Sequence, residues 1–125
     1  MSVVEKKLYD MIVKKEAGRA SDNTRVFAGS SMLHVFFHGN EIFRLNVETG
    51  DFTYDFCGYE HSPVTMGRIN CCLEAAASLY SLCRRNHRVL AYHHGTKVMA
   101  EVGGRMDNRD VLEKFREKGA GALTK

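Results

Sequence analysis

Six histidines, four cysteines and a scatter of carboxylates are the side chains of this 125-residue chain that could do chemistry. Their spacing assembles no catalytic motif. No serine lies in a G-x-S-x-G elbow, and no histidine neighbours a nucleophile in a known pattern. Cys57 and His61 are the one thiol–imidazole pair close in sequence that could form a dyad in space. His93 and His94 are adjacent, so a regular strand would point them to opposite faces. A metal set would have to draw on Cys57, His61, Cys71 and His93 or His94, and nothing within that set has CxxC or HxxxH spacing. Glu41, Asp51, Asp55 and Glu60 are spread over turns and strand ends, and nothing selects a hydrolytic pair. The expectation is no catalytic residue, no metal and no cofactor, so a binding or inhibitory protein ranks ahead of an enzyme. The cysteines read as reduced, buried thiols, since Cys71, Cys72 and Cys83 share one expected helix and offer no disulfide framework.

Anion binding has a more definite candidate. The run Thr65-Met66-Gly67-Arg68-Ile69-Asn70 opens a helix, where backbone N–H groups, a capping hydroxyl and Arg68 favour negative charge. Thr65, Arg68 and Asn70 are therefore ligand candidates. Arg84, Arg85 and Arg88 sit near the expected end of that helix, where cations complement its dipole. Arg105, Asn108 and Arg109 form a further polar cluster after Gly103-Gly104.

These side chains need elements to hold them. The length and the ordinary balance of apolar residues (44%) and charge (26%) indicate one domain over residues 1–125. Val4, Leu8, Met11 and Ile12 share a helical face, so residues 3–15 form an amphipathic helix. Gly18 to Asn23 reads as turn. Met32–His38 and Glu41–Val47 are strand-like around Gly39-Asn40, a hairpin signal, and a turn at 48–51 leads to a strand over Phe52–Cys57. With Gly39 and Asn40 as turn residues, 38 pairs with 41, 36 with 43, 34 with 45, and 47 with 52. One face then carries Met32, His34, Phe36, Phe43, Leu45, Val47, Phe52, Tyr54 and Phe56, and is the expected core. The other carries Leu33, Val35, Phe37, Ile42, Arg44, Asn46, Thr53 and Asp55, with Arg44 opposite Asp55. The N-terminal helix or a partner is expected to cover it. A long helix runs from Ser62-Pro63 or Thr65 to Arg85. A hairpin over 89–94 and 97–102 follows, then a short helix capped by Asp107 or Asn108, and a flexible tail over 119–125. The fold class is α+β: an antiparallel β-meander packed against one long helix, with a second hairpin and short terminal helices.

A net charge of +3 is too small to indicate nucleic-acid binding and argues against a DNA mimic. No apolar run approaches the ~18 residues of a membrane span, and residues 1–15 lack a signal's apolar stretch. Cytoplasmic residence without membrane contact is expected. The partly apolar second face also suggests a homo-oligomer.

The pattern Phe37-His38-Gly39-Asn40, then Gly58-Tyr59, then Thr65-x-x-Arg68-Ile69-Asn70 resembles a motif of small phage and prophage accessory proteins. It covers residues 31–73, with Tyr59 where tryptophan is commoner. The resemblance implies an anti-defence protein, of anti-CRISPR or anti-Thoeris type. Its partner would be a host protein or nucleoprotein complex, such as a CRISPR nuclease. Alternatively the protein sequesters a cyclic nucleotide through Tyr59, Arg68 and Asn70, or is a nucleic-acid-binding module or small hydrolase. Val35, Phe37, Arg44, Asp55, Arg105, Asn108 and Arg109 are the partner-surface candidates.

Overall fold

Serine side chains start the first two helices. Helix α1 (Val3–Lys14) opens with a capping box, in which Ser2 accepts from the Glu5 N–H and Glu5 reaches back to the Ser2 N–H. Its buried stripe is Leu8, Met11 and Ile12. In a computed structural model describing residues 1–119, α1 lies against strands β1 (Gly18–Ser21) and β2 (Thr24–Ala28). These strands form a hairpin, whereas a turn was expected over Gly18 to Asn23 and no element over Thr24–Ala28. Thr24 and Val26 are buried while Arg25 and Phe27 point outward, an alternation of burial that the apolar run Val26-Phe27-Ala28 does not show in the sequence.

Strands β3 (Met32–Phe37), β4 (Asn40–Asn46) and β5 (Phe52–Asp55) continue the sheet as the expected meander. Its register differs from the expected one. The hairpin turns at His38-Gly39, both with positive φ (52° and 79°), so Phe37 faces Asn40. Such a two-residue turn matches strand twist when both residues are left-handed. Unbroken, it would set Val35 against Ile42 and leave Leu33 beside Arg44. A β-bulge prevents this, with Val35 facing Phe43, Phe36 facing Glu41, and Ile42 without a partner of its own. Ile42 and Phe43 both point inward, and Leu33 comes opposite Leu45.

The bulge reverses β3 relative to expectation. Leu33, Val35 and Phe37 are core, whereas Met32, His34 and Phe36 lie half-buried on the opposite face. Strands β4 and β5 pair two residues away from the expected alignment (Leu45 with Phe52), a shift that leaves their faces unchanged. Arg44 therefore faces Thr53, not Asp55.

Helix α2 (Pro63–Ala75) begins as expected, Ser62 accepting from the Thr65 N–H with proline in the first turn. It stops ten residues short of the expected end at Arg85. Ala77 takes a left-handed conformation (φ 58°), and Tyr80–Arg85 forms strand β6. Tertiary pairing outweighs helix propensity here. Strand β6 pairs with β7 (Arg88–His93) through a left-handed Asn86-His87 turn, and β8 (Met99–Val102) completes a three-stranded sheet. Strand β9 (Arg105–Asp107) joins β5, giving the order β1-β2-β3-β4-β5-β9 in the larger sheet. Helix α3 (Asn108–Glu117) buries Val111, Leu112 and Phe115, with Phe115 against Tyr80 and His93. Of the expected tail, residues 120–125 lie outside the described residues.

Arg68 ties these layers together. It is buried beneath Phe37, donates to the Thr24 hydroxyl and pairs with Glu5 at 3.4 Å, so one guanidinium joins α2 to α1, β2 and β3. Removing one partner of a desolvated ion pair leaves the other uncompensated. Arg68→Met is expected to cost about 3 kcal/mol in urea denaturation. Arg44→Ala, on the outward face of β4, should stay within about 0.5 kcal/mol of the parent.

Candidate functional site

The bulge in β4 leaves the outer face of the six-stranded sheet with its own composition. Cα pairing places Phe27 beside His34, and Arg25 beside Phe36. The two phenylalanine rings meet edge to face at 5.3 Å, and Phe27 is 50% exposed. His34 Nδ1 is paired with the Glu41 carboxylate from the neighbouring strand. Toward the other edge come Arg44, Thr53 and Asp55. Arg105 on β9 pairs with Asp55 at 3.8 Å, taking the role expected of Arg44, because β9 and not β4 brings an arginine opposite Asp55. Thr53 donates its hydroxyl to Asp107. The upper part of the face is a shallow depression of about 960 Å³ bounded by Arg25, Phe27, His34, Phe36 and Glu41.

Among the partner-surface candidates, Arg44, Asp55, Arg105 and Arg109 lie on or beside this face. Val35 and Phe37 do not. The reversed β3 buries them at 0% and 8% exposure, and its outward residues His34 and Phe36 stand in their place. Asn108 is also buried, at the start of α3. Sequence reasoning missed Arg25 and Phe27 because Thr24–Ala28 was assigned no element, and its apolar Val26-Phe27-Ala28 shows no alternation that marks Phe27 as outward.

The phage-like motif is partly gathered in space. His38, Asn40, Tyr59, Ser62 and Thr65 surround a cavity of about 370 Å³ with Phe37, Ile42 and Phe56 among its apolar lining. The hairpin tip and the start of α2 thus face each other across it. Arg68 and Asn70 are directed elsewhere. Arg68 is held by Glu5 and Thr24, and the Asn70 carboxamide takes both the N–H and the C=O of Leu82 at 2.8 Å each. At the helix start Pro63 has no N–H and Thr65's is already taken by Ser62, so the helix supplies few donors to this cavity.

The thiols are dispersed. The Cys71 thiol donates to the Glu5 carbonyl, and the Cys57 thiol to the Glu41 carbonyl. Burial pushes Cys71 up to about 12, helped by Glu5 and Glu74. Burial also raises Cys72 well above its usual value, and raises Cys57 with Asp55 adding to the effect. A nucleophilic thiolate requires the opposite shift. No group of three or more histidine, cysteine or acidic side chains suited to a metal ion occurs among the described residues. No described helix is long and apolar enough to cross a membrane.

Compared with known protein families, curated proteins and solved structures, the chain matches none.

The raised Cys71 value carries a pH dependence. The unfolded thiol ionises near its ordinary 9.0, whereas the native one holds its proton to about 12. The contribution to stability is complete below pH 9 and is lost as pH rises toward 12. Urea midpoints should fall between pH 8.5 and 10.5, and Cys71→Ala should make that fall shallower; equal slopes for the two proteins would contradict the assignment.

Proposed function

We propose that this chain is a non-enzymatic binding protein that docks a protein partner on the outer face of its six-stranded sheet. The observation that carries the reading is the face itself: no described helix covers it, and it presents Phe27 and Phe36 between charged rows. Small domains expose contiguous aromatic surface where something binds. The charges favour a protein over a nucleic acid. Arg25, Arg44 and Arg105 are offset by Glu41, Asp55 and Asp107, so the face lacks the one-sided positive field that phosphate backbones select. Central aromatics with arginines nearby are also the usual energetic anchors of protein interfaces. The resemblance to phage accessory proteins makes a host defence component the partner, inhibited by stoichiometric occlusion.

A cyclic-nucleotide sponge is the second reading. It is supported by the meeting of His38, Asn40, Tyr59 and Thr65 at one cavity. Calorimetry with cyclic dinucleotides on the parent and on Tyr59→Ala tests it. Saturable heat that the substitution removes supports it, and its absence rejects it.

The docking reading is tested with purified tagged protein and host lysate, comparing the parent with Phe27→Asp and Arg44→Glu. A captured partner should be lost at least ~10-fold with either substitution, as expected for an interface anchor, while circular dichroism stays unchanged. Retention at parental level by both folded variants would rule the face out. If light scattering gives a dimer that the same substitutions dissociate, the occupant is a second copy of the chain.

A further inference from the structure

A helix dipole does not account for Arg84, Arg85 and Arg88, because α2 ends at Ala75. The three arginines instead surround the left-handed Asn86-His87 turn (φ 51° and 65°) at the tip of the β6–β7 hairpin. We infer that this tip and the outward face of the three-stranded sheet behind it form a binding surface for single-stranded nucleic acid.

Charge is the first ground. Every residue from Arg84 to Arg88 is exposed. The three guanidinium groups alone match the chain's net charge of +3, so a small overall excess is concentrated at one tip. Arg85 and Arg88 stand directly opposite each other across the two strands. Like charges so placed are destabilising, and an anion held between them relieves the repulsion. Arg88 reaches Glu101 on β8 at 3.4 Å, an exposed pair that water screens. Arg85 forms no ion pair among the described residues. Arg84 donates to His87 Nδ1 at 2.9 Å, which fixes its position without cancelling its charge.

The face behind the tip is the second ground. Leu82, Val89, Ala91, Ala100 and Val102 are buried on one side of this sheet, whereas no outward residue of β6, β7 or β8 is. Leu90 and Tyr92 follow Arg88 along the outward row of β7. Tyr92 stands about 13 Å from Arg88 at the usual rise of a strand. The face therefore offers paired guanidinium groups and then an aromatic ring. A nucleic-acid strand supplies the matching order, a phosphate for the arginine forks and a neighbouring base to stack on the tyrosine. Glu101 repels the backbone from β8, so the strand runs along β6 and β7.

The test is fluorescence anisotropy of the full chain with labelled oligo(U) and oligo(dT), each about a dozen nucleotides long. With roughly three phosphates neutralised, affinity should fall ~20-fold between 50 and 200 mM salt. Arg85→Gln and Arg88→Gln should each weaken binding and reduce the magnitude of the salt slope by about 0.7. Tyr92→Ala should weaken it at least ~5-fold with the slope unchanged, as loss of one stacked base does. Tyr92→Phe, which keeps a ring, should bind as the parent does. Tighter oligo(U) binding assigns RNA, tighter oligo(dT) binding DNA, and equal affinity a strand of either sugar. No binding at 50 mM salt, or parental affinity in both arginine variants, overturns the surface. Equal affinity for a blunt duplex, whose bases are not free to stack, overturns the single-strand assignment. Equal affinity for polyglutamate overturns it in favour of an acidic protein. Phe27→Asp, on the larger sheet, should leave this binding at parental level, so the two surfaces fail separately.

Discussion

The structure turns on one extra residue in β4. With the hairpin closed at His38-Gly39, the strands would otherwise align so that Leu33 and Val35 shared a face with Arg44 and left Phe43 outside. Inserting Ile42 without a partner restores agreement: Leu33 meets Leu45, Val35 meets Phe43, and every inward position from β2 to β5 is apolar except Thr24. Burying a large side chain contributes about 1.5–3 kcal/mol. Several are at stake in the alternative alignment, far more than a local loss of ladder bonds costs. The same residue decides what faces outward, because a strand cannot change its inner row without changing its outer one. His34, Phe36 and Glu41 are surface residues as a consequence of Ile42.

The inner row then needs a cover, and polar side chains arrange it. Arg68 reaches from α2 to Glu5 on α1 and to Thr24 on β2, so both helices are held on the same side of the sheet. Gly67 lets α1 approach, since a Cβ there would lie 2.6 Å from the Glu5 carboxylate. At the other end of α2, Asn70 and Ser78 between them satisfy the outward backbone groups of Leu82 and Tyr80. Those groups belong to an edge strand, which invites pairing with other chains when left open. The motif residue Asn70 therefore closes a sheet edge, and the motif residue Arg68 joins layers. With both committed inside the fold, neither side chain is offered to a ligand at the start of α2.

Much of this was legible in the residues. The amphipathic stripe of α1, the Ser62-Pro63 helix start, the hairpin around residue 39, the second hairpin and the apolar inner rows of β4 and β5 all follow from local periodicity and capping chemistry. Arg44 and Asp55 occupy polar outward positions of strands, as their alternation indicates, whereas Arg105 stood out only as part of a polar cluster after Gly103-Gly104. Others escaped. Phe27 and Arg25 lie just after the turn-rich Gly18 to Asn23, in a short stretch whose apolar Val26-Phe27-Ala28 does not alternate. Val35 and Phe37 were assigned outward, and His34 and Phe36 inward, because alternation by itself does not say which of two adjacent apolar rows is buried. In Met32–Phe37 both rows are largely apolar.

The sequence by itself determined the class of fold, the positions of most elements and the absence of a recognisable catalytic motif, because these depend on interactions within a few residues. Tertiary structure alone decided the register across the first hairpin, the end of α2 at Ala75 rather than Arg85, the edge strand β9 at Arg105–Asp107 and the partners of Arg68 and Asp55. Each of those depends on burial against residues distant in the chain. A bulge, a helix stop among alanines and a buried ion pair have weak local signatures. They become favourable only once the sheet and helices share one core.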